Sequence, residues 1–180
     1  EQEAVTRDVE YAQQRIRLRL LERQEELMRM ARDTSTQAME VGAFVLAAEA
    51  MVGRYPEILA LSWVDARRVV KASYLAASAP LGLQRVSGQA LESGEQIITF
   101  DNAKVQQQPV YSQPIAHNPN AYGFILQVPL IEQGLMKGTL MAEFSMDGLL
   151  RYWIPSEISA RYALALQDDA QNTLAGHLPM

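Results

Sequence analysis

Few residues in this 180-residue chain have a type and spacing that could carry a reaction. The two histidines, His117 and His177, stand apart. No His-Glu-x-x-His stretch sets two imidazoles on one helix face for zinc. There is no glycine-rich phosphate loop and no Gly-x-Ser-x-Gly elbow to present a serine nucleophile. Cysteine is absent, which removes thiol catalysis, a disulfide framework and thiolate metal sites. Carboxylates such as Glu132 and Glu143 show no pairing suited to acid–base work. The sequence asks for no catalysis, cofactor or metal.

Charge narrows the binding partner. Net charge is −5, whereas a nucleic-acid binder needs a basic face to displace counterions. Seven arginines do crowd the first 32 residues, but Glu1, Glu3, Asp8, Glu10, Glu22, Glu25 and Glu26 are interleaved with them. Interleaved signs on a helix make a solvated face. Apolar residues at 48% suffice for a real core. No run of about 18 apolar residues is present that could span a membrane. The chain starts within a helical pattern, so it reads as a piece of a longer protein.

The elements that must position any site follow from periodicity. Residues 1–32 predict one long helix, with Val5, Val9, Ala12, Ile16, Leu20, Leu27 and Met30 as its apolar stripe. Glu3–Arg7 and Glu25–Arg29 are i, i+4 pairs that support it. Thr34 and Gln37 have capping-box spacing, which predicts a second helix over 35–52. Its expected buried face is Met39, Ala43, Leu46, Ala47, Ala50 and Met51. Residues 58–64 and 69–74 read as a hairpin about Asp65-Ala66-Arg67-Arg68. The stretch 77–108 is polar, with one short helix expected near Leu91 and another near 97–106. Residues 110–114 read as a strand and His117-Asn118-Pro119-Asn120 as a loop. A second hairpin joins 122–131 to 135–145, with Phe124, Leu126, Val128, Leu140, Ala142 and Phe144 on one face. Residues 147–153 predict a short helix. Tight hairpins without strand–helix alternation make this α+β with an antiparallel sheet. A third hairpin, 161–167 with 173–176, echoes the first when Asp169-Ala170 is laid on Asp65-Ala66. The expected division is a module over 1–155, then 156–180 as linker and opening hairpin of a second, similar module.

Three segments carry a family resemblance. RYPEILALSWVDARRVVKAS (54–73) resembles the first hairpin of extracytoplasmic PAS-like sensor domains, the PDC or Cache class. GTLMAEFSMDGLLRYWIP (138–155) resembles the last core strand of such a module and the helix that leaves it. RYALALQDDAQNTLAG (161–176) resembles the opening of a second module. With the leading helix and PVYSQPI (109–115), the whole is most similar to the sensor region of C4-dicarboxylate-sensing histidine kinases with tandem modules. The resemblance implies a PAS-like antiparallel sheet flanked by a long N-terminal helix. It also implies a periplasmic location, flanking membrane helices outside this chain, a cytoplasmic kinase and a small organic acid as ligand.

In such modules the ligand lies between the sheet and the loops and short helices over one face. That maps to the cover at 85–108, the strand at 110–114 and the central strands. The candidates are Arg85 and Lys104 as cations, Tyr111 and Ser112 as hydroxyl donors, His117 and Tyr122 beside the loop, and Gln127 mid-strand among apolar neighbours. Each has a plain alternative. Arg85 and Lys104 suit a solvated surface, Tyr111 a core position with its hydroxyl at the rim, His117 an exposed loop, and Gln127 an open sheet face. The leading helix either only covers the sheet or also forms a homodimer seam. Rival functions are the same fold in a chemoreceptor or cyclic-dinucleotide enzyme, a ligand-free dimerisation module, and a hydrolase. A pocket lined by polar groups favours sensing; a collapsed apolar interior favours pure structure.

Overall fold

The computed structural model describes residues 2–36, 39–92 and 94–179. Helix α1 (Gln2–Thr36) runs for 35 residues, about 50 Å at 1.5 Å per residue. Helix α2 (Val41–Arg54) follows, then the hairpin β1 (Ile58–Asp65) and β2 (Val70–Leu75). The cover holds α3 (Gly94–Gln106), and β3 (Val110–Tyr111) and β4 (Ile115–Asn118) lead back to the sheet. The hairpin β5 (Ala121–Glu132) and β6 (Leu135–Ser145) forms its centre. Helices α4 (Met146–Trp153) and α5 (Ser156–Ser159) and a hairpin of β7 (Leu164–Gln167) and β8 (Thr173–His177) complete the chain. The main sheet is antiparallel, ordered β2-β1-β6-β5-β3, with β4 also on β5. This is the α+β architecture of PAS and Cache domains. Among the described residues no helix is long and apolar enough to cross a membrane.

Alternation along β5 and β6 assigns the two faces. Phe124, Leu126, Val128, Leu140, Ala142 and Phe144 point to one side, where Leu27, Met30 and Ala31 of α1 and Phe44, Ala48 and Met51 of α2 meet them. Ile125 and Met141 point to the other, where Phe100 of α3 and Leu91 cover them beside Val64 and Val70. Both faces are therefore closed, and the eight residues Gly123–Leu130 are all buried. Gly138 shows why β1 can lie so close to β6. Its φ is +137°, and any Cβ there would strike the Val64 carbonyl.

Several helix expectations need correction. The stripe of α1 loses its first members, since Val5 is 43% and Val9 50% exposed; burial begins at Ala12. Thr34, expected as a helix N-cap, lies inside α1, where its Oγ1 donates to the Met30 carbonyl at 2.8 Å; its expected partner Gln37 lies outside the described residues. Helix α2 starts only at Val41, after Glu40, whose side chain caps nothing. Its buried face is Phe44, Ala48, Met51 and Val52, while Ala43, Leu46 and Ala50 are exposed. Phe44 decides that rotation: its ring offers more area to bury and packs 5.6 Å from Trp63. In the cover, one helix spans 94–106, and the stretch around Leu91 is irregular. His117 and Asn118, expected in a loop, belong to β4.

The C-terminal hairpin repeats the first turn in detail. Asp65 N–H donates to Val69 O and Arg68 N–H to Asp65 O. Asp168 N–H donates to Asn172 O and Gln171 N–H to Asp168 O in the same pattern. The carboxylates of Asp65 and Asp168 each accept from two backbone N–H groups of their own turn. Arg68 and Gln171 both have φ near +65°. The structural overlay thus pairs Asp168, not Asp169, with Asp65, a one-residue shift from the sequence echo.

Candidate functional site

The sheet face beneath α3 carries polar side chains where an apolar lining would be cheapest. Ser62 on β1 and Gln127 on β5 both stand opposite Met141 of β6. One row away Thr139 lies between Val64 and Pro129; on the other side Glu143 lies between Ala60 and Ile125. Ser62, Gln127 and Thr139 are fully buried and Glu143 is 2% exposed. Gln127 Nε2 donates to the Gln96 carbonyl of α3 at 3.2 Å. Gln127 Oε1, Ser62 Oγ and Thr139 Oγ1 have no hydrogen-bond partner in the described structure. A buried polar atom without a partner costs about 1–3 kcal/mol, so three on one face leave hydrogen-bonding capacity there for a water or another polar group.

Arg85 enters this face from the irregular segment between β2 and α3. Its Nε donates to Glu143 Oε2 at 2.9 Å and its Nη2 to Oε1, a two-pronged ion pair. The Arg85 side chain is 15% exposed and that of Glu143 3%. Ser73 anchors the segment by donating its hydroxyl to the Arg85 carbonyl. Burial pushes the Glu143 carboxyl above its ordinary pKa, and the Arg85 guanidinium opposes the shift without cancelling it. His117 comes from β4, and its buried Nε2 lacks a partner too. Burial, then the nearby Arg85 charge, lowers the His117 pKa, which keeps the ring neutral at pH 7. Gly123 makes room for that ring: a Cβ there would sit 2.7 Å from Nε2 and clash with the Phe144 carbonyl.

The structure brings Arg85, His117 and Gln127 to this face and places the other candidates elsewhere. Tyr111 stands opposite Leu126, whose side chain faces α1. Its ring lies 6.2 Å from that of Phe124 and its hydroxyl donates to Gln24 Oε1 of α1 at 2.8 Å. Burial pushes its pKa up to about 12. Tyr122 is half-buried and, two residues before Phe124, shares that α1-side face. The Ser112 hydroxyl is taken up locally, accepting from Ile125 N–H at 2.7 Å and donating to Gln113 O. Lys104 is exposed on the outside of α3, on a shallow surface with Arg67, Phe100 and the Arg68–Asp101 ion pair. Sequence reasoning passed over Ser62 and Thr139, and dismissed Glu143 for want of a partner. The signal was a lone serine in apolar β1 and Lys137, Thr139 and Glu143 at even spacings in β6, a pattern that also describes an open sheet face.

Placement on the far face makes a prediction for Tyr111. Tyr111→Phe removes one partly exposed hydrogen bond to α1, so thermal unfolding should show a loss of about 0.5–1 kcal/mol. Affinity for any ligand held by Arg85 should not change by more than twofold in calorimetric titration; a tenfold loss would move the site to the α1 side.

A buried ion pair, a neutral imidazole and unpartnered polar atoms gather on one sheet face under a helix and an irregular segment. Among the described residues no group of three or more His, Asp or Glu stands together as a metal site. The sequence matches no protein-family model and no curated protein. Its fold is that of extracellular ligand-binding domains of bacterial receptors. The extracellular domain of mmHK1S-Z2, described as a histidine kinase, superposes with a TM-score of 0.67 at 9% identity, covering 97% of this chain and 71% of that one. The ligand-binding domain of the Pseudomonas aeruginosa amino acid chemoreceptor PctC, in complex with GABA, gives 0.56 at 12% identity over 87% of this chain. The chain spans 66% of that domain's length. The ligand-binding domain of the Pseudomonas fluorescens chemoreceptor CtaA, in complex with L-serine, gives 0.59 at 14% identity, covering 92% of this chain and 67% of that one.

Proposed function

We propose that this chain is the extracytoplasmic ligand-sensing input domain of a bacterial membrane receptor, and that it takes a small organic acid on the sheet face beneath α3. The observation that carries the reading is the buried Arg85–Glu143 pair beside the unpartnered polar atoms of Ser62, Gln127, Thr139 and His117. A ligand carboxylate would engage the Arg85 guanidinium. That engagement releases Glu143 from one or both of its bonds, and a bare buried carboxylate is expensive. A ligand that also carries an ammonium group supplies the missing partner, so the pair favours a zwitterion such as an amino acid. GABA and L-serine, bound by two receptor domains of this fold, are of that class. The second reading is a C4-dicarboxylate, favoured by the sequence resemblance; its second carboxylate would then meet the Thr139, Ser62 and Gln127 side chains. The output on the cytoplasmic side is a histidine kinase by that resemblance, with a chemoreceptor as the alternative. The receptor works as a homodimer through α1, and residues from 156 on begin a second module, which the repeated Asp65 and Asp168 turns support.

A thermal-shift screen of the chain against amino acids, GABA, succinate, malate and fumarate tests this. At a hundredfold excess over the dissociation constant, binding adds about 2.7 kcal/mol, or roughly 5–10 °C in melting temperature for a domain of this size. Zwitterions should shift it and dicarboxylates should not. The reverse pattern installs the second reading. No shift with any of them leaves a structural module and ends the sensor proposal.

A further inference from the structure

Helix α1 has two apolar faces, and only one of them is used by the fold. Ala12, Leu27 and Met30 point into the core, with Ile16 and Leu20 packed beside them. On the opposite side Tyr11, Leu18 and Leu21 are 46%, 48% and 59% exposed. Their spacings of seven and three residues are those of the a and d positions of a coiled coil, with Gln14 at the intervening d position. The residues that flank this seam carry a code. Glu10 and Arg17 occupy its g side, and Arg15 and Glu22 its e side. In a parallel, in-register pair, each g residue meets the e residue five positions on in the other copy. Glu10 then faces Arg15 and Arg17 faces Glu22, opposite charges in both heptads and on both sides of the seam. An antiparallel pair centred on the same leucines would still match Arg15 with Glu22, but would leave Glu10 and Arg17 without opposite charges. Glu22 also accepts from Arg19 of its own helix at 2.9 Å, which holds its carboxylate on the flank.

We infer that the outward face of α1, from Glu10 to Glu22, pairs in parallel and in register with the same face of a second copy of this chain. The inference rests on the dimer reading above and adds its face, orientation and register. Parallel pairing points both N-terminal ends the same way, as two chains leaving one membrane require. Gln14 in one copy meets Gln14 in the other, a polar layer that penalises slipped registers. The seam has only two leucine layers and a tyrosine layer, so the isolated chains should associate weakly.

The absence of cysteine allows a clean test by single-cysteine cross-linking. Leu18→Cys and Leu21→Cys, both at exposed positions, should form disulfide dimers under mild oxidation at least tenfold faster than Leu46→Cys on α2, which is 68% exposed but off the seam. Arg15→Glu should slow Leu18→Cys cross-linking at least fivefold, and adding Glu10→Arg should restore it. Equal rates at Leu46 and Leu18, or a double charge swap no faster than the single one, would overturn the seam. A dimer in sedimentation whose Leu18→Cys variant does not cross-link would overturn the seam and spare the dimer. A chain that stays monomeric at all concentrations, without cross-linking, would overturn both.

Discussion

Arg85→Met is expected to lower the melting temperature by roughly 6–20 °C at pH 8 and by much less at pH 5. Removing one partner of a buried ion pair leaves the other charge uncompensated, at a cost of about 3–5 kcal/mol, and each kcal/mol is worth about 2–4 °C in a chain of this size. The pH dependence follows from Glu143. Its native pKa already lies above the ordinary carboxylate value because it is buried. Without Arg85, burial acts unopposed and raises it further. A carboxyl that holds its proton more tightly in the native state than in the unfolded chain loses native stability as pH rises from its unfolded pKa, about 4.3, to its native one. Below that window both states are protonated and the deficit nearly vanishes. The double variant Arg85→Met/Glu143→Leu should recover most of the stability, since a well-packed apolar pair often equals a buried ion pair. It should still bind no ligand. A deficit that is flat with pH, or a double variant no more stable than the single, would show that Glu143 is not the buried charge on which the site depends.

The architecture was legible because β1, β5 and β6 are apolar-rich runs of strand length punctuated by turn residues. The hairpin turns at Asp65 and Asp168 were readable for the same reason, and only the overlay of the two slipped by a residue. What the sequence misplaced was rotation. Helix α2 turned on Phe44, a single large ring that a count of spacings weighs no more than Ala43. The site was half legible. Arg85 and Gln127 were picked as a cation in the cover and an amide among apolar neighbours, and both lie on the face under α3. Glu143 was passed over because its partner is 58 residues away in sequence. Ser62 is one small hydroxyl in an apolar strand and Thr139 has the spacing of a solvent-facing one, and only the seating of α3 over that face buries them together. Tyr111 lies away from that face for the converse reason. A strand beside a pocket has two faces, and pairing with Leu126 put its ring on the α1 side.

Glu57→Ala should loosen α1 selectively, and by a large amount. Glu57 is 1% exposed, and its Oε1 accepts from both Arg23 Nε of α1 and Trp153 Nε1 of α4, each at 2.8 Å. Its carbonyl accepts from Ser145 N–H at the end of β6. Gly148, the second residue of α4 after Met146, lets this happen, since a Cβ there would sit 2.9 Å from the Glu57 Cα. One side chain thus joins the leading helix, the start of β1 and the helix that leaves the sheet. The Arg23 guanidinium is held from its other side by the Tyr55 ring, 3.6 Å away. Along α1 the described core contacts lapse between Leu20 and Leu27, and Arg23 is the inner-face residue in that gap. Alanine at 57 strands the buried guanidinium and the indole N–H together, so a loss of about 3–5 kcal/mol is expected. Glu57→Gln keeps an acceptor for the indole and loses only the charge, so its cost should be less than half of that. The diagnostic is where the loss falls. Hydrogen exchange should quicken over residues 16–30 by at least tenfold while β5 and β6 keep their protection, because those strands are held by pairing with each other and with β1 and by the cover of α2 and α3, contacts that Glu57 does not make. Equal acceleration in α1 and the central strands would mean that Glu57 supports the core as a whole. Localised acceleration would identify it as the joint that holds α1 to the sheet and α4.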